Sequence, residues 1–113
     1  MNGLTIMAQC SGTLILAKFG LLGQIPAGTD FTTKPWIEKA DIDVLNEPFF
    51  AENNIATAGG CFSAQYLLAW IIAKTEGTEA ATEALHHVAP VGEKDKYVNR
   101  AMGNIEKFTS FCQ

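Results

Sequence analysis

The chain is poor in charge: Asp, Glu, Lys and Arg make up 18% of its 113 residues, and 8 basic against 12 acidic side chains leave a net charge of −4. No Lys/Arg cluster occurs, so there is no electrostatic grip for phosphate backbone or anionic lipid; neither nucleic acid nor a membrane surface is expected as a partner. Long apolar runs are also missing. The longest, Tyr66 to Ala73, falls far short of the roughly 20 residues that span a bilayer. No positive charge precedes Lys18, which leaves nothing to begin a secretory n-region and makes a cytoplasmic location the expectation. Cysteine is limited to Cys10, Cys61 and Cys112, an odd number at spacings that fit neither a zinc ribbon nor Cys-x-x-Cys redox chemistry. The two histidines, His86 and His87, are adjacent and have no further ligand at metal-binding spacing. No metal and no cofactor are expected. Apolar residues reach 48%, enough for one hydrophobic core in a small domain.

Leu4 to Gln9 is almost continuously apolar, the pattern of a parallel strand buried on both faces. After Cys10-Ser11-Gly12, the stretch TLILAKF changes to helix formers and stops at Gly20. Pro35 suits the first turn of a short helix through Ala40. Asp43 to Leu45 and Phe49 to Ala51 read as short strands, and Asn54 to Ala58 as a firmer one that runs into Gly59-Gly60. From Cys61 to Glu76 a helix apolar nearly all round is expected. Gly77 ends it, and Thr78 is placed to cap another that Pro90 and Gly92 break. Tyr97, Val98, Ala101, Met102, Ile105 and Phe108 recur at helical spacing in a final amphipathic helix. Strands alternating with helices give an α/β architecture with a mainly parallel sheet and helices on both faces. An apolar first strand left at a sheet edge would invite pairing with another chain, so upstream chain or a second copy is expected to cover it.

Ala8-Gln9-Cys10-Ser11-Gly12 has the form small-x-nucleophile-x-small between strand and helix, the cysteine counterpart of a nucleophile elbow. The tight turn restricts the flanking positions to Ala8 and Gly12, and puts Cys10 at a helix N-terminus that favours thiolate. The Ser11 N–H is then a candidate oxyanion donor. The bland alternative is a small buried hydrophobe at a strand end. Ala58-Gly59-Gly60-Cys61 repeats the arrangement, with Gly59 and Gly60 letting backbone amides approach the site and Cys61 as pocket wall or resolving thiol, or else as helix packing. Asp30 is the best-placed candidate for an orienting or accepting carboxylate, against the ordinary role of a turn or cap aspartate. Trp36 and Trp70 read as packing groups, and Cys112 as incidental.

AQCSGTLILAKFGLL resembles the nucleophile-elbow segment of the ThiJ/PfpI family of the class I glutamine-amidotransferase-like superfamily. NIATAGGCFSAQYLLAWIIAKTEG is similar to the family's next strand, Gly-rich turn and long helix. The resemblance implies a flavodoxin-like sandwich, here an N-terminally truncated portion over residues 1–113, often a homodimer. It also implies a reactive Cys10 acting on a small-molecule electrophile such as an aldehyde, amide or isonitrile. Two departures stand out. The acidic residue that hydrogen-bonds the family's cysteine belongs to an upstream half outside this chain, and Asp30 takes the place of the histidine that many members carry after the elbow helix. The expected function is the C-terminal portion of a cysteine-dependent hydrolase or lyase; the alternatives are a redox-sensing or stress-response domain, or an inactive fragment.

Overall fold

The computed structural model describes residues 4–109, and the chain divides into two compact units, Met1–Ala64 and Gln65–Gln113. The first unit holds β1 (Ile6–Gln9), α1 (Gly12–Lys18), α2 (Lys34–Glu38), β2 (Phe49–Glu52) and β3 (Ile55–Ala58). A 3₁₀ turn over Cys61–Ser63 leads into α3 (Ala64–Glu76), which α4 (Thr78–Val88) and α5 (Lys94–Ile105) follow in the second unit.

The strands form a sheet in the order β1-β3-β2. β1 and β3 are parallel, with Ile6 opposite Ile55 and Gln9 opposite Ala58. β2 and β3 form an antiparallel hairpin, turned at Asn53 with φ +58°, a conformation Asn adopts more readily than most residues. A parallel bridge joins Ala27 to Val44, which is where the sequence predicts a strand over 43–45. Strand alternation places Ile6, Ala8 and Ile55 on one face. There they pack with Leu16 of α1, Ile37 of α2, Leu22, Ala27 and Ile42. Phe49, Ala51, Ala56 and Ala58 point to the other face and are buried as well, so β3 carries the near-continuous burial typical of a parallel α/β sheet.

β1 departs from its expectation. It ends the strand order, begins at Ile6 rather than Leu4, and leaves Leu4 51% and Met7 43% exposed. An apolar run has the same sequence pattern whether or not both faces are covered within the same chain, so the pattern overstates the burial. In the second unit, Trp70, Ala73, Ala81, Leu85, Val98, Ala101 and Ile105 are buried, and the Trp70 indole donates to the Phe108 carbonyl at 3.1 Å. Gly77, at φ +100°, takes the N-cap position of α4 and Thr78 becomes its first residue. No helix among the described residues is long and apolar enough to cross a membrane.

Candidate functional site: the paired turns at Cys10 and Cys61

Parallel pairing fixes the site. With Gln9 beside Ala58, β1 and β3 end at the same level, and the chains leaving them must run side by side. The ladder continues one bond further, from Cys10 N to the Ala58 carbonyl at 3.1 Å. Cys10 then turns with φ +52°, Ser11 takes the N-cap position, and α1 starts at Gly12. Cys10 is half-buried, Ser11 exposed. A Cβ added to Gly12 would meet the Ala8 Cβ at 3.8 Å, an ordinary contact. The turn therefore admits alanine at position 12 and restricts only larger side chains, a milder limit than the small-x-nucleophile-x-small pattern predicts.

The second turn is built on stricter sterics. A Cβ on Gly59 would lie 2.9 Å from the Thr29 carbonyl oxygen, so glycine is required there, while one on Gly28 would lie 3.3 Å from the Gly59 nitrogen, a tight contact. Their approach is pinned by buried polar groups. The Thr13 hydroxyl donates to the Gly28 carbonyl at 2.9 Å, and the Gly28 N–H donates to the Thr57 Oγ1 at 2.8 Å. The Thr29 hydroxyl donates to the Cys10 carbonyl at 2.6 Å, tying the elbow to the same segment. On the other side, the Gln9 side-chain amide donates to the carbonyls of Gly60 (3.3 Å) and Cys61 (3.0 Å), while the Ser63 hydroxyl closes the turn onto the Gly59 carbonyl at 2.7 Å.

These bonds bring the Cys10 and Cys61 sulfurs to 3.9 Å. Cys61 is exposed and opens a 3₁₀ turn before α3, because Gly60 at φ +91° redirects the chain before regular helix begins. The Gly60 backbone favours the Cys10 thiolate, but the balance runs the other way. Burial first, then the Cys61 hydrogen bond and charge, and last the Asp30 charge, hold the Cys10 thiol above its ordinary range. The depression expected at a helix N-terminus is thus not found: burial and a neighbouring thiol both disfavour the charged form.

Asp30 is set by its own turn. It accepts from the Thr33 N–H at 3.2 Å and lies 3.4 Å from the Thr29 hydroxyl. The Thr33 hydrogen bonds hold its carboxyl below the usual range, so it is an ionised turn aspartate ahead of α2 that also acts on the thiol through its charge. Trp36 is 56% exposed with the Lys39 ammonium 4.8 Å from its ring centre, so it is a surface group rather than the packing group its type suggests. Cys112 lies outside the described residues. No group of three or more His, Cys, Asp or Glu side chains gathers at metal-binding distance among the described residues. A cleft of about 310 Å³, lined by Thr29, Leu45, Asn46, Glu47, Pro48 and Gly59, shares Gly59 with the second turn and Thr29 with the segment bonded to the elbow.

The backbone is similar to that of Schizosaccharomyces pombe DJ-1. That structure aligns with a TM-score of 0.52 and 19% identity, over 90% of this chain and 46% of the DJ-1 chain. Two point mutants of the same protein align over the same shares at 18% identity and a TM-score of 0.52. The chain has the DJ-1 fold. It spans about half the length of those chains. No protein-family model and no curated protein sequence matches the chain. The two turns meet because both follow the paired parallel strands β1 and β3 at their carboxyl ends, where α/β sheets bind ligands.

The sequence pattern misses Thr13, Thr29, Thr57 and Gln9. A signal existed for two of them. Thr13 on an apolar helix and Thr57 within the apolar strand IATA are polar side chains at buried positions, and buried polar groups have partners.

Proposed function

We propose that these residues form the nucleophile-elbow portion of a ThiJ/PfpI-type cysteine enzyme that acts on a small electrophile through Cys10. The observation that carries this reading is a cysteine at φ +52° on a strand-to-helix turn in the DJ-1 fold, with the Cys61 sulfur of a second turn 3.9 Å from its own. In this reading the Cys10 sulfur attacks a carbonyl-type carbon, and the exposed Ser11 N–H receives the developing oxyanion. Gly59 and Gly60 form the pocket's second wall, Gly59 packed without a side chain against the Thr29 carbonyl. Asp30 contributes through charge and through its turn with Thr29. A carboxylate held so acidic is a poor acceptor for a thiol proton, so deprotonation falls to a group brought by the substrate or by the remainder of the enzyme. The open edge of β1, with Leu4 and Met7 exposed, is the place for that remainder to pair, either an upstream half or a second copy.

Incubation of the enzyme with a small aldehyde such as glyoxal, followed by intact-mass analysis and peptide mapping, tests the reading. The adduct is expected at Cys10, and turnover in the Cys10→Ser variant should fall to the uncatalysed background. Full turnover in that variant, or adducts spread evenly over Cys10, Cys61 and Cys112, would remove Cys10 from the mechanism.

A further inference from the structure

We infer that Cys61 is the resolving thiol of Cys10, so that a hydroperoxide converts the pair into an intramolecular disulfide that switches the elbow off reversibly. The inference rests on the reading of Cys10 as a reactive thiol and adds a second residue with a defined chemical role. Its basis is a pairing that the fold enforces from three directions. Register places the two strand exits side by side, the Gln9 amide holds both Gly60 and Cys61 carbonyls, and Thr29 anchors the Cys10 backbone. Two sulfurs at 3.9 Å need to close about 2 Å to reach disulfide length. Rotation about the Cα–Cβ bonds supplies a movement of that size, and the exposed Cys61 is the freer partner.

The steps balance without any further reagent. The Cys10 thiolate attacks the terminal oxygen of the hydroperoxide, the O–O bond breaks, and the alkoxide or hydroxide leaves and takes up a proton. Cys10 is now a sulfenic acid. The Cys61 sulfur attacks the Cys10 sulfur, forming the S–S bond as the sulfenic hydroxyl departs with the Cys61 proton as water. Two thiols and one hydroperoxide give one disulfide, one alcohol or water, and one further water. A preset neighbour makes this second step unimolecular, which favours the disulfide over continued oxidation to sulfinic acid. Since the first step uses thiolate, its rate should rise with pH into the alkaline range, in line with the upward shift of the Cys10 thiol.

The test uses the full chain in a Cys112→Ser background, so that only Cys10 and Cys61 can react. After treatment with hydrogen peroxide, non-reducing peptide mapping should find the Cys10 and Cys61 peptides cross-linked within one chain. Both free thiols should be lost, and dithiothreitol should restore them. In the added Cys61→Ser variant, dimedone should trap sulfenic acid at Cys10, and prolonged peroxide should drive it to sulfinic acid. Cys10 found as sulfinic acid while Cys61 remains a free thiol overturns the inference, as does a disulfide formed only between chains. The aldehyde adduct separates the two readings: if reduced Cys10 takes the adduct but never bonds Cys61, the resolving role falls and the elbow reading stands. If Cys10 is inert to both reagents, both fall.

Discussion

The two strand exits solve the same problem by opposite means. The β3 exit uses glycine where geometry demands it, at Gly59 because a Cβ would strike the Thr29 carbonyl and at Gly60 because φ is +91°. The β1 exit needs a positive φ as well, yet carries a cysteine there. Two other non-glycine residues share that conformation among the described residues, Asp41 and Asn53, and both are types that tolerate it through local hydrogen bonding. Both also lie in exposed turns. Cysteine has no such excuse, and strain of this kind costs of order 1–3 kcal/mol per residue. A side chain kept at that cost, half-buried and touching a second turn, points to a chemical role; the glycines beside it provide only room.

The sharpest way to break this contrast is to put a methyl group on each glycine of the second turn. Gly59→Ala forces a 2.9 Å contact with backbone oxygen, which no side-chain rotation relieves. The expected loss is about 1–3 kcal/mol, together with displacement of Thr29 from the Cys10 carbonyl. Gly60→Ala meets no atom within 4 Å but must hold φ 91° with ψ 145°, a region almost closed to side chains, at about 1–3 kcal/mol. Thermal or urea denaturation should find both variants destabilised; a Gly59→Ala variant as stable as the parent would mean that the approach of Gly59 to the Thr29 carbonyl is not what shapes the turn.

The elbow was legible because it depends on neighbours in sequence: a small residue before Cys10, one after it, an apolar run ahead and helix formers behind. The short helix opened by Pro35 and the break at Pro90-Gly92 were readable for the same reason. What escaped was everything set by pairing across the chain. Thr13 serves Gly28, Thr57 serves the same residue from another strand, and Gln9 reaches the turn at 60–61. None of these partners can be chosen before the register of β1 on β3 is known. The direction of the thiol shift was missed likewise, since helix position argues for thiolate and only the three-dimensional neighbourhood supplies the opposing burial and the second sulfur.

A gentler probe works on the β1 side of the comparison. Replacing Cys10 by glycine removes the Cβ that makes φ +52° unfavourable, and should raise stability by about 1 kcal/mol while abolishing the aldehyde adduct. Stability gained with chemistry lost is the signature of strain retained for function. A Cys10→Gly variant no more stable than the parent would mean that the turn is relaxed as it stands, and the argument from conformation would lose its force.

The smallest expected effect is a displacement of the Cys10 titration, followed by alkylation rate against pH. Cys61→Ala removes both the hydrogen bond and the charge that push the thiol up, whereas Asp30→Asn removes only the weakest contribution. Both variants should move the profile to lower pH, with Cys61→Ala moving it further, and neither should bring it below the ordinary thiol range unless burial is also relieved. The corresponding stability effect has a definite sign. A thiol held above its unfolded value, about 8.5, contributes stability that is complete below that pH and is lost as pH rises through the folded value. The Asp30 carboxyl, held low by Thr33, contributes stability present above its unfolded value, about 3.9, and lost as acid protonates it. The parent should therefore lose stability at both ends, with Cys61→Ala flattening the alkaline limb and Asp30→Asn the acid one. An alkaline limb unchanged by Cys61→Ala would show that burial alone governs the thiol, and that the second turn contributes space to the site but no electrostatic control.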